Sequence, residues 1–205
     1  MKRMLSMKLE RLTYPQLIAI GYLLLIMLGA LLLSLPAASR NHLSAGFVDA
    51  LFTATSATCV TGLVVADTYA QWTLFGQLVI ISLIQIGGLG FMTVVTLFSF
   101  LFGRKIGLKE RGLLRESVNT LYVGGIVRLV KKVLVGTLLI EGTGAIILAI
   151  RFVPRMGLAE GIYNGIFHSI SAFCNAGFDI MGKYGEYTSL TTFSRDAVVC
   201  LTVIM

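Results

Sequence analysis

Charged residues are scarce in this chain. Asp, Glu, Lys and Arg together make up 13% of its 205 residues, whereas hydrophobic residues make up 56%. So few charges cannot cover the surface of an ordinary soluble domain, and the mean hydropathy of +0.86 excludes such a domain as well. We therefore expect a membrane protein.

Cysteine and histidine are also rare, with three and two residues respectively. Three cysteines give no disulfide framework. Cys59 or His168 could serve a membrane enzyme, but the sequence offers no nucleophile–base pairing and no metal-ligand spacing for one. We expect Cys59 and Cys174 to be small packing residues, with metal binding or a redox bridge as the open alternative.

Long apolar runs, by contrast, are present. They cover Tyr14–Leu35, Trp72–Phe102, about Val133–Phe152 and Thr192–Met205. The first is about 33 Å long as a helix, which suffices to cross a bilayer and is too long for a cleavable signal. The last has room for only about 21 Å of helix, so we expect the chain to end inside a helix and to be a fragment.

The net charge of +7 is distributed unevenly. Twelve of the 17 Lys and Arg residues either precede the first apolar run or lie between the second and third runs. This asymmetry predicts a multi-pass membrane protein with its N-terminus and central loop in the cytosol. Attraction to anionic lipid headgroups accounts for the charge without a nucleic-acid partner.

The chain also repeats itself without a gap. LFTATSATCVTGL at 51–63 matches IFHSISAFCNAGF at 166–178, an offset of 115 residues. Each copy is too short to cross a bilayer, ends at one glycine and lies between longer apolar runs. This arrangement is typical of re-entrant pore loops, and two of them suggest a cation pathway.

Each repeat is predicted as helix, external loop, half-length helix, tight glycine turn and helix. In the first, Ser44 is the expected cap of a half-helix at Phe47–Ala57, and Leu63–Gln71 returns the chain. In the second, 153–160 is the outer connection, Gly161–Ala172 the half-helix and 178–191 the return. The turns are Thr58–Gly62 and Phe173–Gly177.

The turns have a chemistry that suits a cation. Glycine permits positive φ, so Gly62 and Gly177 can aim successive carbonyls at an axis. A half-helix that enters from outside also directs its negative end toward the membrane centre. We expect Thr58, Thr61 and Asn175 to hold the turns by hydrogen bonds. A helix–helix contact built on small residues is the alternative.

These motifs carry a resemblance that covers essentially the whole chain. TSATCVTGL, QIGGLGFMT at 85–93 and SISAFCNAGFD at 169–179 resemble the Trk/Ktr/HKT superfamily of potassium transporters. IGLKERGLLRESVNTL and EGTGAIIL are similar to that family too. The chain is most similar to the bacterial Ktr-type membrane subunit.

The resemblance implies an all-α membrane fold in which four helix–pore loop–helix repeats surround one pore. It implies a filter strand in each repeat, whose residues here are Thr58, Cys59, Val60, Thr61, Gly62, Phe173, Cys174, Asn175, Ala176 and Gly177. It also implies potassium uptake across the plasma (inner) membrane, often sodium-dependent, by a homodimer on a cytosolic nucleotide-binding ring that gates it. No cofactor and no resident metal are expected.

The chain departs from this pattern because it holds two repeats only. We divide it into a cytosolic N-terminus at 1–13, a first repeat at 14–102, a basic cytosolic connector at 103–132 and an incomplete second repeat at 133–205. Half a filter cannot encircle an ion, so this chain alone should not transport. The alternative is a non-transporting two-repeat assembly subunit or an inactive fragment.

Several further residues have two open interpretations. Glu141, within a span, is either structural or a participant in ion coupling. Gly87, Gly88 and Gly90 allow either close packing or a bend, and we favour packing. His168 is expected to be a satisfied interior residue rather than a proton switch.

The surface offers two more open interpretations. Asp67 and Asp179 follow the filters and either concentrate cations or are solvated loop acids. The connector, with Leu108, Leu113, Leu114, Val118 and Leu121 on one side of a predicted helix, is either a headgroup-level surface helix or a docking surface.

Overall fold

The computed structural model describes residues 13–41, 44–90, 93–94, 112–114, 116, 126–185 and 188–204. Within these residues all regular secondary structure is helical, and the only extended pairing is a single antiparallel bridge between Ser39 and Trp72. The expectation of an all-α membrane fold is confirmed. The α-helices are α1 Tyr14–Leu33, α2 Phe47–Thr58, α3 Thr68–Gln71, α4 Leu74–Leu89, α5 Ile126–Met156, α6 Leu158–Phe173 and α7 Ala197–Ile204.

Two helices of the described part are long and apolar enough to cross a membrane. They are Tyr14–Leu33, with 20 residues, and Val127–Met156, with 30 residues. Both expose most of their side chains, and in each only 22% of the most apolar window is buried. Apolar side chains left outside the protein are what a bilayer accommodates.

The chain forms two compact units, and each is described by itself. One contains residues 1–24 and 90–134, of which the described part is residues 13–24, 90, 93–94, 112–114, 116 and 126–134. In this unit Gly112 approaches Tyr14 so closely that a Cβ on Gly112 would lie 2.6 Å from the tyrosine hydroxyl. Leu114 is fully buried there.

The other unit contains residues 25–89 and 135–205 and holds both sequence repeats. Its main core joins the end of α1, α2, α4 and the residues after α6, with Leu33, Trp72, Ile80, Phe167 and Phe178 among its buried members. A second core is formed by Leu148, Phe152, Met181, Phe193 and Val199. The half-length helices α2 and α6 both contribute buried residues to the main core.

The outer connection predicted at 153–160 is wrong. Helix α5 continues through Pro154 to Met156, and Gly157 alone separates it from α6. Pro154 has no N–H to donate to the Ile150 carbonyl oxygen one turn back, so one bond of the helix is missing there, and the helix ends two residues later. The reversal occurs at Gly157, whose φ of +87° suits glycine.

The second half-helix is consequently longer than expected. It covers Leu158–Phe173, 16 residues, instead of Gly161–Ala172. Its glycines let it approach α5 closely: a Cβ on Gly161 would lie 2.6 Å from the Val153 backbone, and one on Gly165 would lie 2.8 Å from the Ala145 carbonyl oxygen. Helix α5 itself begins at Ile126, earlier than the predicted span.

The apolar run Trp72–Phe102 is not one continuous helix in its described part. Helix α4 ends at Leu89, and Gly90 follows with a φ of +85°. The Thr93 and Val94 amides then donate hydrogen bonds to the Gly90 carbonyl oxygen. The remainder of this run lies outside the described residues, as does most of the predicted connector helix, including Leu108, Val118 and Leu121.

Two smaller predictions about helix ends also fail. Helix α2 is capped by Gly46 without a side-chain bond, and Ser44 instead donates to the Ser34 carbonyl oxygen at 3.0 Å. The last described helix begins at Ala197 rather than near Thr192, because Ser189–Phe193 forms a 3-10 helix. Asp196 then accepts bonds from the first amides of α7, at 3.1 Å from Val198.

Candidate pore-loop site

The half-length helices α2 and α6 end in the same hydrogen-bond pattern. Each backbone bond of the first has a counterpart 115 residues later in the second. The bonds run from Cys59 N to Thr55 O, Val60 N to Ala57 O and Thr61 N to Ser56 O, and from Cys174 N to Ile170 O, Asn175 N to Ala172 O and Ala176 N to Ser171 O. This is a Schellman-type helix end, which turns the chain sharply.

The same two backbone positions are left-handed in both turns. Gly62 and Gly177 have φ values of +72° and +71°, so the positive φ predicted for these two glycines is confirmed. Val60 and Asn175 also have positive φ, at 57° and 55°. Asparagine tolerates this region, whereas a β-branched residue rarely adopts it, so Val60 is a strained residue that the sequence pattern did not reveal.

The two turns lie side by side. A Cβ on Gly62 would come within 2.7 Å of the Ala176 carbonyl oxygen, and one on Gly177 would lie 3.4 Å from the Gly62 Cα. Ala176 is fully buried at this contact. Part of each turn has no neighbour within the described chain. The residues that remain exposed are Cys59 and Thr61 in the first turn and Asn175 and Gly177 in the second.

Side chains support the turns, though only partly as predicted. The Thr61 hydroxyl pairs with the Ser56 hydroxyl at 2.9 Å, and Ser171 donates to the Phe178 carbonyl oxygen at 2.6 Å. Thr58, in contrast, is 1% exposed, and its hydroxyl has no hydrogen-bond partner among the described residues. The Asn175 side chain is exposed.

Two consecutive glycines of α4 contact the two turns. A Cβ on Gly87 would lie 2.1 Å from the Thr58 carbonyl oxygen, whereas one on Gly88 would lie 2.6 Å from the Cys174 sulfur. The predicted packing role of these two glycines is confirmed, and Gly90 instead provides the break in the helix. One helix therefore supports both copies of the repeat.

Glu141 lies beside this contact. It is 7% exposed, and the Gln85 side-chain amide donates to both of its carboxylate oxygens, at 2.9 and 3.1 Å. The Glu141 backbone oxygen accepts a bond from Ser169 on α6 at 2.7 Å. Through these bonds a single residue of α5 is joined to both α4 and α6.

His168 is a satisfied interior residue, as expected. It is 2% exposed, and its Nδ1 lies 2.8 Å from the Asn164 carbonyl oxygen, one turn back on α6. Its Nε2 accepts from the Ile180 amide at 3.5 Å. The ring also makes edge contacts with Phe152 and Phe167. With both nitrogens paired in this way, the imidazole is neutral and acts as an anchor.

Neither acid after the turns is a freely solvated loop residue. Asp67 is 7% exposed and caps α3 by accepting from the Ala70 amide at 2.9 Å. Gly182 approaches it so closely that a Cβ there would overlap its carboxylate. Asp179 is half-buried and accepts from the Met181 amide at 3.1 Å. The Asp67 carboxylate thus has a structural role, and no local sequence pattern signals its burial.

The cysteines behave differently from one another. Cys59 is exposed at the first turn, whereas Cys174 is half-buried against Gly88, and both are free thiols. Among the residues that the structure describes, no group of three or more His, Cys, Asp and Glu side chains could hold a metal ion.

Comparison with known proteins identifies the family. Residues 5–205 match TrkH, which is described as a cation transport protein. The chain belongs to the TrkH family of cation transport proteins. The resemblance to the Trk/Ktr/HKT superfamily is confirmed, and since TrkH proteins are transporters, the membrane-enzyme alternative is set aside.

Three relatives of this TrkH-family chain carry names of uptake proteins. Ktr system potassium uptake protein B of Bacillus subtilis is 52% identical over 173 residues, which are 84% of this chain and 38% of that protein. Potassium/sodium uptake protein NtpJ of Enterococcus hirae is 46% identical, with the same coverage. Ktr system potassium uptake protein B of Vibrio alginolyticus is 40% identical over 92% of this chain and 40% of its own length. The chain spans about two fifths of the length of these relatives.

Proposed function

We propose that this chain supplies two of the four repeats of a potassium uptake protein of the plasma membrane. The TrkH-family match and the potassium uptake names of its relatives support this proposal. The protein at the length of those relatives is termed the full-length transporter. Potassium uptake is the property proposed for it, and this chain contributes half of its ion-binding filter.

The proposed filter is made of backbone carbonyls from Thr58–Gly62 and Phe173–Gly177. Its main support is the matched geometry of the two turns, in which corresponding residues share both hydrogen bonds and left-handed φ values. Repeated backbone geometry in turns of different side-chain composition supports a functional role for the backbone itself. A small-residue packing motif would need no such match of φ values.

The half-length helices supply a favourable potential. Helix α2 has 12 residues, or about 18 Å, so it can bring its C-terminal end to the interior of a bilayer. The partial negative charge at that end favours a cation next to the turn. Helix α6 does the same for the second turn, and its longer outer end extends toward the proposed external surface.

The chain alone is not expected to conduct. Four residues of the two turns are exposed, namely Cys59, Thr61, Asn175 and Gly177. In the proposal, these residues face carbonyls from two further repeats. The second candidate is a two-repeat assembly subunit, or an inactive fragment, in which the exposed turns would meet a second copy of this chain. The length of the relatives favours the first candidate.

Further properties extend the proposal. The name of the Enterococcus hirae relative, a potassium/sodium uptake protein, is the reason to include sodium dependence. A homodimer gated by a cytosolic nucleotide-binding ring follows from the family resemblance. An orientation with the N-terminus in the cytosol follows from the asymmetry of Lys and Arg along the chain.

Growth of a potassium-uptake-deficient bacterial host on limiting potassium tests the function. We expect the full-length transporter to restore growth, and residues 1–205 alone to restore none at equal membrane expression. Uptake measured with and without sodium, and with and without a coexpressed nucleotide-binding subunit, tests the two finer properties. Growth restored by residues 1–205 alone would favour assembly from copies of this chain, and no growth with the full-length transporter would overturn the proposal.

A further inference from the structure

A carboxylate lies at the middle of the second long helix and is paired with one amide. Glu141 is the fifteenth residue of the 30-residue span Val127–Met156. Burial of an ionisable group at this depth is costly unless it has polar partners. The Gln85 amide provides them by donating at 2.9 and 3.1 Å to the two carboxylate oxygens. This pair is a strong polar link between α4 and α5.

The link continues from α5 to α6. Ser169 of α6 donates to the backbone oxygen of Glu141 at 2.7 Å, and Ser169 is itself buried. Cys174 of the second turn lies five residues after Ser169 in the chain. Glu141 therefore accepts hydrogen bonds both from Gln85 of α4 and from Ser169 of α6, the second half-helix.

The position of α4 matters because Gln85 is close to the two glycines that contact the turns. Gly87 and Gly88 lie two and three residues further along the helix, against Thr58 and Cys174 respectively. Each residue of a helix adds about 1.5 Å of rise and about 100° of rotation, so a slip by one residue would turn Ile86 or Leu89 toward a turn. No side chain fits there, since even a Cβ on Gly87 would lie 2.1 Å from the Thr58 carbonyl oxygen.

We propose that Gln85 and Glu141 are positioning residues for the filter. Their bond fixes the depth and rotation of α4, and α4 in turn holds Gly87 against the first turn and Gly88 against the second. The distance between the two filter strands thereby depends on a single polar contact, the bond between Gln85 of α4 and Glu141 of α5. The inference rests on the proposed function, because it assigns a role in ion discrimination to residues that support the pore loops.

Exchange of the two side chains tests the proposal in the full-length transporter. The variants are Gln85→Glu, Glu141→Gln and the double variant with both changes, and Ser82→Ala on the exposed side of α4 is the control. The readout is the preference for potassium over sodium in competitive uptake, measured together with the amount of protein in the membrane. Both quantities are needed because a merely structural role would change the amount of protein in the membrane and leave the preference for potassium over sodium unchanged.

Gln85→Glu places two carboxylates in contact, so we expect the preference to fall by roughly tenfold, the size of one lost charge-assisted bond. Glu141→Gln keeps a hydrogen-bonding pair and should change the preference by less than about threefold. The double variant restores an amide–carboxylate bond with the partners exchanged. We therefore expect it to recover most of the preference lost in Gln85→Glu, and Ser82→Ala to match the unaltered protein.

Three outcomes would overturn the inference. A double variant as impaired as Gln85→Glu would show that the bond is not what matters. Loss of sodium-dependent uptake in Glu141→Gln, unrescued by the exchange, would assign Glu141 to ion coupling instead. An unchanged preference in every variant, with Gly62→Ser impaired in parallel, would remove the positioning role and leave the filter intact. If Gly62→Ser were also without effect, the proposed function itself would fail.

Discussion

Gly62 lies so close to Ala176 that a Cβ on Gly62 would come within 2.7 Å of the Ala176 carbonyl oxygen. These residues belong to different copies of the repeat, 114 positions apart in the chain. The contact places one turn directly against the other, at the point where each has its key glycine. Side chains are excluded at Gly62 by space as well as by its positive φ.

The two glycines should therefore differ in their tolerance of alanine. Gly62→Ala meets both backbone strain and a backbone oxygen, whereas a Cβ on Gly177 lies at an ordinary 3.4 Å from the Gly62 Cα. We expect Gly177→Ala to cost about 1–2 kcal/mol, the strain of a left-handed non-glycine residue, and Gly62→Ala to cost more. Thermal unfolding of purified protein in detergent checks the order, and equal losses would contradict the contact.

Val60 is the strained member of the first turn. Its φ of 57° is rare for a β-branched residue, and the matching position of the second turn holds Asn175. We expect Val60→Asn to stabilise the protein by about 1 kcal/mol, because asparagine tolerates the left-handed region. Asn175→Val is the matched control and should destabilise by a similar amount. A lower melting temperature for Val60→Asn would show that lost side-chain packing outweighs the relieved strain.

His168 should leave the pH dependence of uptake unchanged. Both ring nitrogens have backbone partners in a site that is 2% exposed, so the residue is an anchor between α6 and the returning chain. We expect His168→Gln to retain the pH profile between about pH 5 and 8, and His168→Ala to lower the yield of folded protein. A profile that flattens in His168→Gln at normal yield would identify a proton switch.

Asp67 should contribute to stability rather than to cation attraction. Its carboxylate caps α3 at 2.9 Å from the Ala70 amide. Asp67→Asn keeps a capping oxygen and should be nearly neutral, whereas Asp67→Ala should cost about 1 kcal/mol. The apparent affinity for potassium, measured at low ionic strength, should be the same in Asp67→Asn as in the unaltered protein. A several-fold weaker affinity would restore the electrostatic interpretation.

Local sequence signals predict the first half-helix and the positive φ of both turn glycines. The half-helix expected at Phe47–Ala57 is observed at Phe47–Thr58, and both turn glycines have the predicted positive φ. A gap-free repeat is informative because it reports the same backbone twice. It does not report whether a given side chain suits that backbone, which is why the sequence does not reveal the strain at Val60.

Other features depend on contacts that no local pattern encodes. The predicted connection at 153–160 includes Pro154, yet α5 contains this proline near its C-terminal end and continues to Met156. The burial of Asp67 depends on Gly182, 115 residues away. The Gln85–Glu141 pair joins residues 56 positions apart, and either residue alone gives no indication of the other.

The most direct test of the account is ion preference in Gly62→Ser of the full-length transporter, measured as uptake of potassium in competition with sodium at equal membrane expression. The added Cβ and hydroxyl disturb both the left-handed backbone and the contact with Ala176. We expect a fall in potassium uptake, in the preference for potassium over sodium, or in both. Unchanged uptake with unchanged preference would contradict the assignment of these turns as the filter.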